Sequence, residues 1–161
     1  MAKLANELTW SVSRDGLFRQ CRRAYFYQYY GSWGGWESDC SARTRQLYIL
    51  KNLTSLPMWA GSIVHDTIAQ ALKRHAQTNE GVAAGALLAR ARMMLRQGWI
   101  EAVGREWQKS PKKTNLFELY YGNGKTLPEA ATEEVKDKVY GCLQAFADSA
   151  TLREILAAPY V

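Results

Sequence analysis

The sequence predicts a mainly α-helical protein, and three observations carry that expectation. Apolar residues recur at three- and four-residue intervals through most of the chain. No stretch sustains the alternation of apolar and polar residues that a half-buried strand would show. Serine, glycine and proline fall between the periodic runs, where helices start and stop. With 161 residues the chain has the length of one domain or part of one, and it reads as a single helical region over 1–161.

In chain order, Ser11 or Ser13 caps a first helix that runs to about Tyr30, where Gly31 and the Gly34-Gly35 pair end it. On that helix Leu17, Phe18, Cys21, Ala24, Tyr25 and Tyr29 share one arc, which makes Cys21 a buried small residue. Arg19, Arg22, Arg23, Phe26, Tyr27 and Tyr30 share the opposite arc. Residues 31–57, rich in Gly, Ser and Arg and closed by Pro57, read as a long loop or a short helix with loops. A second helix spans Met58 to Gln77 with Val64, Ile68, Ala71, Leu72 and His75 inward, and Thr78 to Gly81 end it. The third runs from Val82 to Gln108 with Leu87, Leu88, Ala91, Met94, Leu95 and Trp99 inward, and Arg90, Arg92, Arg96 and Arg105 on its surface. Ser110-Pro111 breaks it, and a loop or extended segment reaches Pro128. A fourth helix starts there with Glu129, Glu133 and Glu134 at its positive end and the stripe Val135, Val139, Cys142, Leu143 and Phe146. A short last helix, Thr151 to Ala157, stops before Pro159.

Composition narrows the function classes. Hydrophobic residues at 47% and charged residues at 22% argue against a disordered chain. No apolar run approaches the roughly 20 residues of a membrane span, and MAKLANELTW lacks the apolar core of a secretory leader. Cys21, Cys40 and Cys142 have neither disulfide nor zinc spacing, which makes a reducing cytoplasm the simplest compartment. The net charge of +6 is polarised: 17 Lys/Arg face 8 Asp/Glu over residues 1–113, whereas 4 face 7 over 114–161. A basic section of this kind suits a polyanion, nucleic acid first, and charge alone is served equally by a solvated basic surface.

Two constellations stand out. Between Phe18 and Trp36, 8 of 19 residues are aromatic and Arg19, Arg22 and Arg23 are interleaved. Rings stack on unpaired bases and arginines meet phosphate, so Arg19, Arg22, Arg23, Tyr27, Tyr30, Trp33 and Trp36 are candidate nucleic-acid contacts, while the inward rings are candidates for the core. Gly61 lies one turn before His65, so the imidazole borders a position without a side chain, where a metal or phosphate can come close. A structural histidine is the other reading of His65. Gly122 to Thr126 has the ending of a phosphate-binding loop but Leu119 where the pattern needs glycine, and reads as a turn. Glu134-Val135-Lys136 reads as a solvated helix face.

Ser11 and Ser13, then Cys21-Arg22-Arg23 with Tyr25, Tyr27 and Tyr29, then Gly61 to His65, together resemble the N-terminal part of the PD-(D/E)XK nuclease superfamily. The branch is the one of RecB-type nuclease domains and CRISPR-associated exonucleases. Phe117 to Tyr121 also looks like the segment that precedes that family's catalytic sheet, and Arg22 stands where the family usually has proline. The resemblance implies the helical N-terminal portion of a restriction-endonuclease-like α/β nuclease domain whose central sheet is not in this chain. It implies a Mg²⁺ or Mn²⁺ ion with His65 as one ligand, and it puts the Asp and the ExK hairpin after Val161. It gives no catalytic residue within the chain, and no iron–sulfur cluster, since only Cys21 matches that pattern.

The expected function is therefore part of a metal-dependent DNA nuclease, inactive as this chain alone. Its expected partners are single-stranded DNA or duplex ends, the C-terminal remainder of the domain, or other repair and defence proteins, with no membrane. The rivals are a non-catalytic nucleic-acid-binding module and a helical protein–protein adaptor.

Overall fold

A computed structural model describes residues 5–122 and 127–158. The protein is mainly helical: no strand forms among the described residues, and their β-type pairing is a single parallel bridge between Thr54 and Leu116. Of the Gly122 to Thr126 segment expected to be a turn, residues 123–126 lie outside them, as does Pro159.

Helix α1 (Val12–Gln20) opens as expected, with the Ser11 side chain accepting the Arg14 N–H. It does not continue to Tyr30. Cys21 is extended, at φ −160° and ψ 106°, and its sulfur accepts the Ala24 N–H to start a second helix, α2 (Arg22–Phe26). Cys21 is thus an exposed capping residue and not a core one. Helix α1 itself buries no residue, and the physical reason for the break lies in the ring contacts across it. Bending at Cys21 brings Phe18 edge-on to Tyr25, at 5.3 Å between ring centres. The chain then widens into a π-turn, Tyr27–Gly31.

The loop-rich segment contains one helix, α3 (Ala42–Lys51), capped by Ser41. Gly35 lies against it so closely that a Cβ would stand 2.2 Å from the Cβ of Tyr48. Only glycine allows that turn to rest on α3.

Helix α4 (Leu56–Thr78) starts two residues earlier than the sequence suggests, because the Glu118 carboxylate accepts the Leu56 N–H at 2.9 and 3.1 Å. Pro57 sits in its first turn, where a missing N–H costs nothing. Its buried face is Leu56, Trp59, Ala60, Ile63, Thr67 and His75, while the expected Val64, Ile68, Ala71 and Leu72 form the half-buried flank. Helix α5 (Ala84–Val103) ends at Gly104 and not at Gln108. Arg105 turns left-handed at φ 52° and a single 3₁₀ turn, Glu106–Gln108, follows. That reversal carries Lys113 and Thr114 back to the buried carboxylate of Glu101.

A short helix, α6 (Phe117–Tyr121), occupies the segment expected to be loop or extended. Helices α7 (Glu129–Asp148) and α8 (Ala150–Ala157) are close to expectation. Within the α7 stripe Val135, Val139 and Leu143 are buried and Phe146 is half-buried, but Cys142 is exposed. The rows at i, i+4 and i+8 already fill the groove against α4 and α5, and Cys142 falls one residue outside them.

The core lies where α4, α5 and α7 meet, around Trp59, Ile63, Leu87, Ala91, Val139 and Leu143. Gly98 lets α5 approach α4, since a Cβ there would be 2.9 Å from the Trp59 ring. The segment from α1 to α3 forms a basic, aromatic arm on this bundle. It is joined by Thr54, which bonds to the backbone of Asn115 and Phe117, and by Gln46, which donates to the Tyr120 hydroxyl.

Candidate nucleic-acid interface

The arm divides its aromatic residues into two groups. Tyr25 is the hub of the first, with Trp10, Phe18, Tyr29 and Tyr30 at 6.3, 5.3, 5.2 and 5.8 Å between ring centres. The Tyr25 and Tyr30 hydroxyls lie 3.5 Å apart, and this contact raises the Tyr30 phenol above its ordinary range. In the second group Trp33 meets Trp36 edge-on at 5.1 Å, and Trp36 meets Tyr48 at 5.5 Å. Tyr27 packs on Phe26. The four candidate rings therefore do not form one platform. Tyr27, Tyr30 and Trp36 are half-buried within these clusters, and Trp33 keeps 38% of its surface exposed.

The most exposed rings of the arm are Trp10 at 59% and Phe26 at 52%, neither of which the sequence singles out as a contact. Phe26 is visible on the same arc as the arginines. Trp10 precedes the first cap, where helical periodicity gives no signal.

Arg19, Arg22 and Arg23 are all exposed. Arg19 pairs with Asp15 one turn earlier at 2.8 Å, a solvated contact that a stronger anion can displace. Arg22 extends over Phe18, with its guanidinium carbon 5.3 Å from the ring centre. Arg23 forms no ion pair among the described residues. Because of the break at Cys21, Arg22 and Arg23 stand in the first turn of α2 rather than in the middle of a long helix.

His65 is on the solvent side of α4. The Gly61 position beside it is open, with nothing within 4 Å of where a Cβ would be, and Asp66 is also exposed. The enclosed histidine is His75: it is buried and its Nδ1 lies 2.8 Å from the Glu80 carbonyl. Mg²⁺ and Mn²⁺ favour several oxygen ligands in octahedral geometry. Among the described residues no three His, Cys, Asp or Glu side chains come together as a metal site, so one imidazole and a neighbouring carboxylate do not fit such an ion unaided.

Glu134 and Lys136, neighbours on a helix face by sequence, each have another partner: Glu134 accepts from Lys138 at 2.6 Å, and Lys136 pairs with Glu133. Both pairs are on the solvated side of α7. Among the described residues no helix is long and apolar enough to cross a membrane. No protein-family model, curated protein or solved structure matches the chain.

Proposed function

We propose that the chain is the nucleic-acid-binding helical part of a PD-(D/E)XK-type DNA nuclease. The observation that carries this reading is the basic edge of the arm: Arg22 and Arg23 are exposed and have no carboxylate partner among the described residues, Arg22 lies over the Phe18 ring, and Phe26 on the same helix is exposed. Cations that meet no internal counter-charge are available to phosphate, and nearby rings are available to unstacked bases. Single-stranded DNA and frayed duplex ends offer both.

His65 supports the nuclease component of the proposal by its exposure and by the bare Gly61 position next to it. The reaction of that family is phosphodiester hydrolysis, in which a divalent ion activates water and stabilises charge on phosphate. Among the described residues no cluster of carboxylates joins His65 and Asp66, so the reading gives this chain the binding and not the cleavage.

The test is fluorescence anisotropy with a labelled single-stranded oligonucleotide across a salt series. In the Arg22→Ala/Arg23→Ala variant the log–log slope should fall by about 0.7 to 0.9 for each phosphate that is no longer neutralised. An unchanged slope removes these arginines from the interface. An unmodified chain without salt-dependent affinity supports the adaptor reading instead.

A further inference from the structure

Two cations from opposite ends of the arm are anchored on adjacent residues of the π-turn. Arg14 of α1 holds its guanidinium carbon 4.3 Å from the centre of the Tyr29 ring and donates from Nη1 to the Thr9 carbonyl at 2.7 Å. Lys51, in the last turn of α3, donates from Nζ to the Gln28 carbonyl at 2.8 Å. Gln28 and Tyr29 are adjacent, so both charges are fixed above the same turn. Their proximity is felt electrostatically: burial first, and the Arg14 charge second, lower the proton affinity of Lys51.

Neither cation forms an ion pair among the described residues. Like charges held together without a counter-charge repel each other, at a cost to the fold. The anchors are backbone carbonyls, which fix Nη1 and one Nζ–H and leave Nη2 and the other Nζ hydrogens unused. Lys51 is exposed and Arg14 half-buried. The arrangement presents two donors already anchored to the backbone.

We propose that Arg14 and Lys51 form a clamp for one phosphodiester group of single-stranded DNA. The clamp rests on the nucleic-acid reading above and adds two residues outside the Arg19–Arg23 edge. Arginine supplies a planar fork and lysine a point charge, a combination that fixes the backbone without reading sequence. A strand held there runs past the π-turn, with the exposed faces of Phe26 and Trp10 on the same arm.

The experiment uses the same anisotropy titration, from about 50 to about 200 mM salt, where each neutralised phosphate contributes about 0.7 to the slope for a single strand. Because the two cations share one phosphate, Lys51→Gln and Arg14→Gln should each lower the slope, the double variant by no more than about 0.7 in total, and Lys51→Arg should restore it. Arg14 also holds Thr9 and Tyr29, so a thermal melt accompanies its variant; Lys51 is exposed, and its variant decides the matter if Arg14→Gln unfolds the arm. A slope unchanged in Lys51→Gln but lowered in Arg22→Ala/Arg23→Ala overturns the clamp and leaves the nucleic-acid reading standing. No salt-dependent binding by the unmodified chain overturns both. Inorganic phosphate is the second probe. If it raises the melting temperature of the unmodified chain but not of Lys51→Gln, while the oligonucleotide slope is the same in both, the site takes free phosphate and the phosphodiester assignment is overturned.

Discussion

Replacing Glu101 by Gln should be costly at neutral pH and nearly harmless in acid. The carboxylate is only 7% exposed and accepts four hydrogen bonds: from Gln97 at 3.0 Å, from Lys113 at 2.5 Å, and from the Thr114 backbone and hydroxyl at 3.1 Å each. Burial pushes its proton affinity up, but the bonds from Gln97, Lys113 and Thr114 outweigh burial and bring it from 4.5 to about 2. At about 1.36 kcal/mol per unit, that difference corresponds to about 3 kcal/mol of folding free energy. A depressed carboxylate stabilises the fold above its unfolded value and loses that contribution as pH falls through its folded one. The contribution is therefore complete at neutral pH and drains away between about pH 4.5 and about pH 2. Glu101→Gln keeps an acceptor but puts an NH₂ among donors, and should lose about 2 to 3 kcal/mol at pH 7. Urea unfolding of both proteins at a series of pH values measures the gap, which should close in acid because protonated Glu101 is itself a neutral donor. A gap below about 0.5 kcal/mol at neutral pH, or one of constant size across the series, refutes the reasoning.

Leu143 is fully buried between α7 and its neighbours, and Leu143→Ala should cost about 2 to 5 kcal/mol in urea unfolding. Gly98→Ala gains up to about 1 kcal/mol of helix propensity but drives a methyl group to 2.9 Å from the Trp59 ring; the net result should be a loss of about 1 to 2 kcal/mol with altered tryptophan fluorescence. The two histidines should separate cleanly in thermal melts. His65→Gln on the exposed face should leave stability within about 0.5 kcal/mol of the parent, whereas His75→Gln, which strips the buried bond to the Glu80 carbonyl, should cost about 1 to 3 kcal/mol.

The long helices were legible because their apolar rows are continuous. Leu87, Ala91, Val135, Val139 and Leu143 lie where periodicity puts them. What periodicity could not supply was the effect of partners distant in sequence. The early start of α4 depends on Glu118, and the early end of α5 on Lys113 and Thr114 returning to Glu101. Glu101 itself was unmarked, since a lone glutamate on a long helix looks like any solvated one. The break at Cys21 was hidden because the residues on either side continue a plausible helical arc, and only the meeting of Phe18 with Tyr25 makes the bend worthwhile. At the candidate interface the arginines were legible from their spacing. Arg14 and Lys51 were not, because their contacts depend on the π-turn that carries Gln28 and Tyr29.

Stability and the proposed recognition draw on different residues in this fold. The bundle of α4, α5 and α7 buries the continuous core, whereas α1 buries no residue and α2 only Tyr25. Exposed cations such as Arg22, Arg23 and Lys51 contribute little to folding, so they are free to be arranged for an anion. The arm nevertheless needs a fixed origin, and the bundle provides it through one short region. Thr54 bonds to Asn115 and Phe117 just before α4 begins, and Glu118, on the next turn of chain, caps that helix. Glu101 holds Thr114 immediately before this region. A buried carboxylate in the bundle thus sets the point from which the basic arm departs, and it does so without lending the proposed interface any charge of its own.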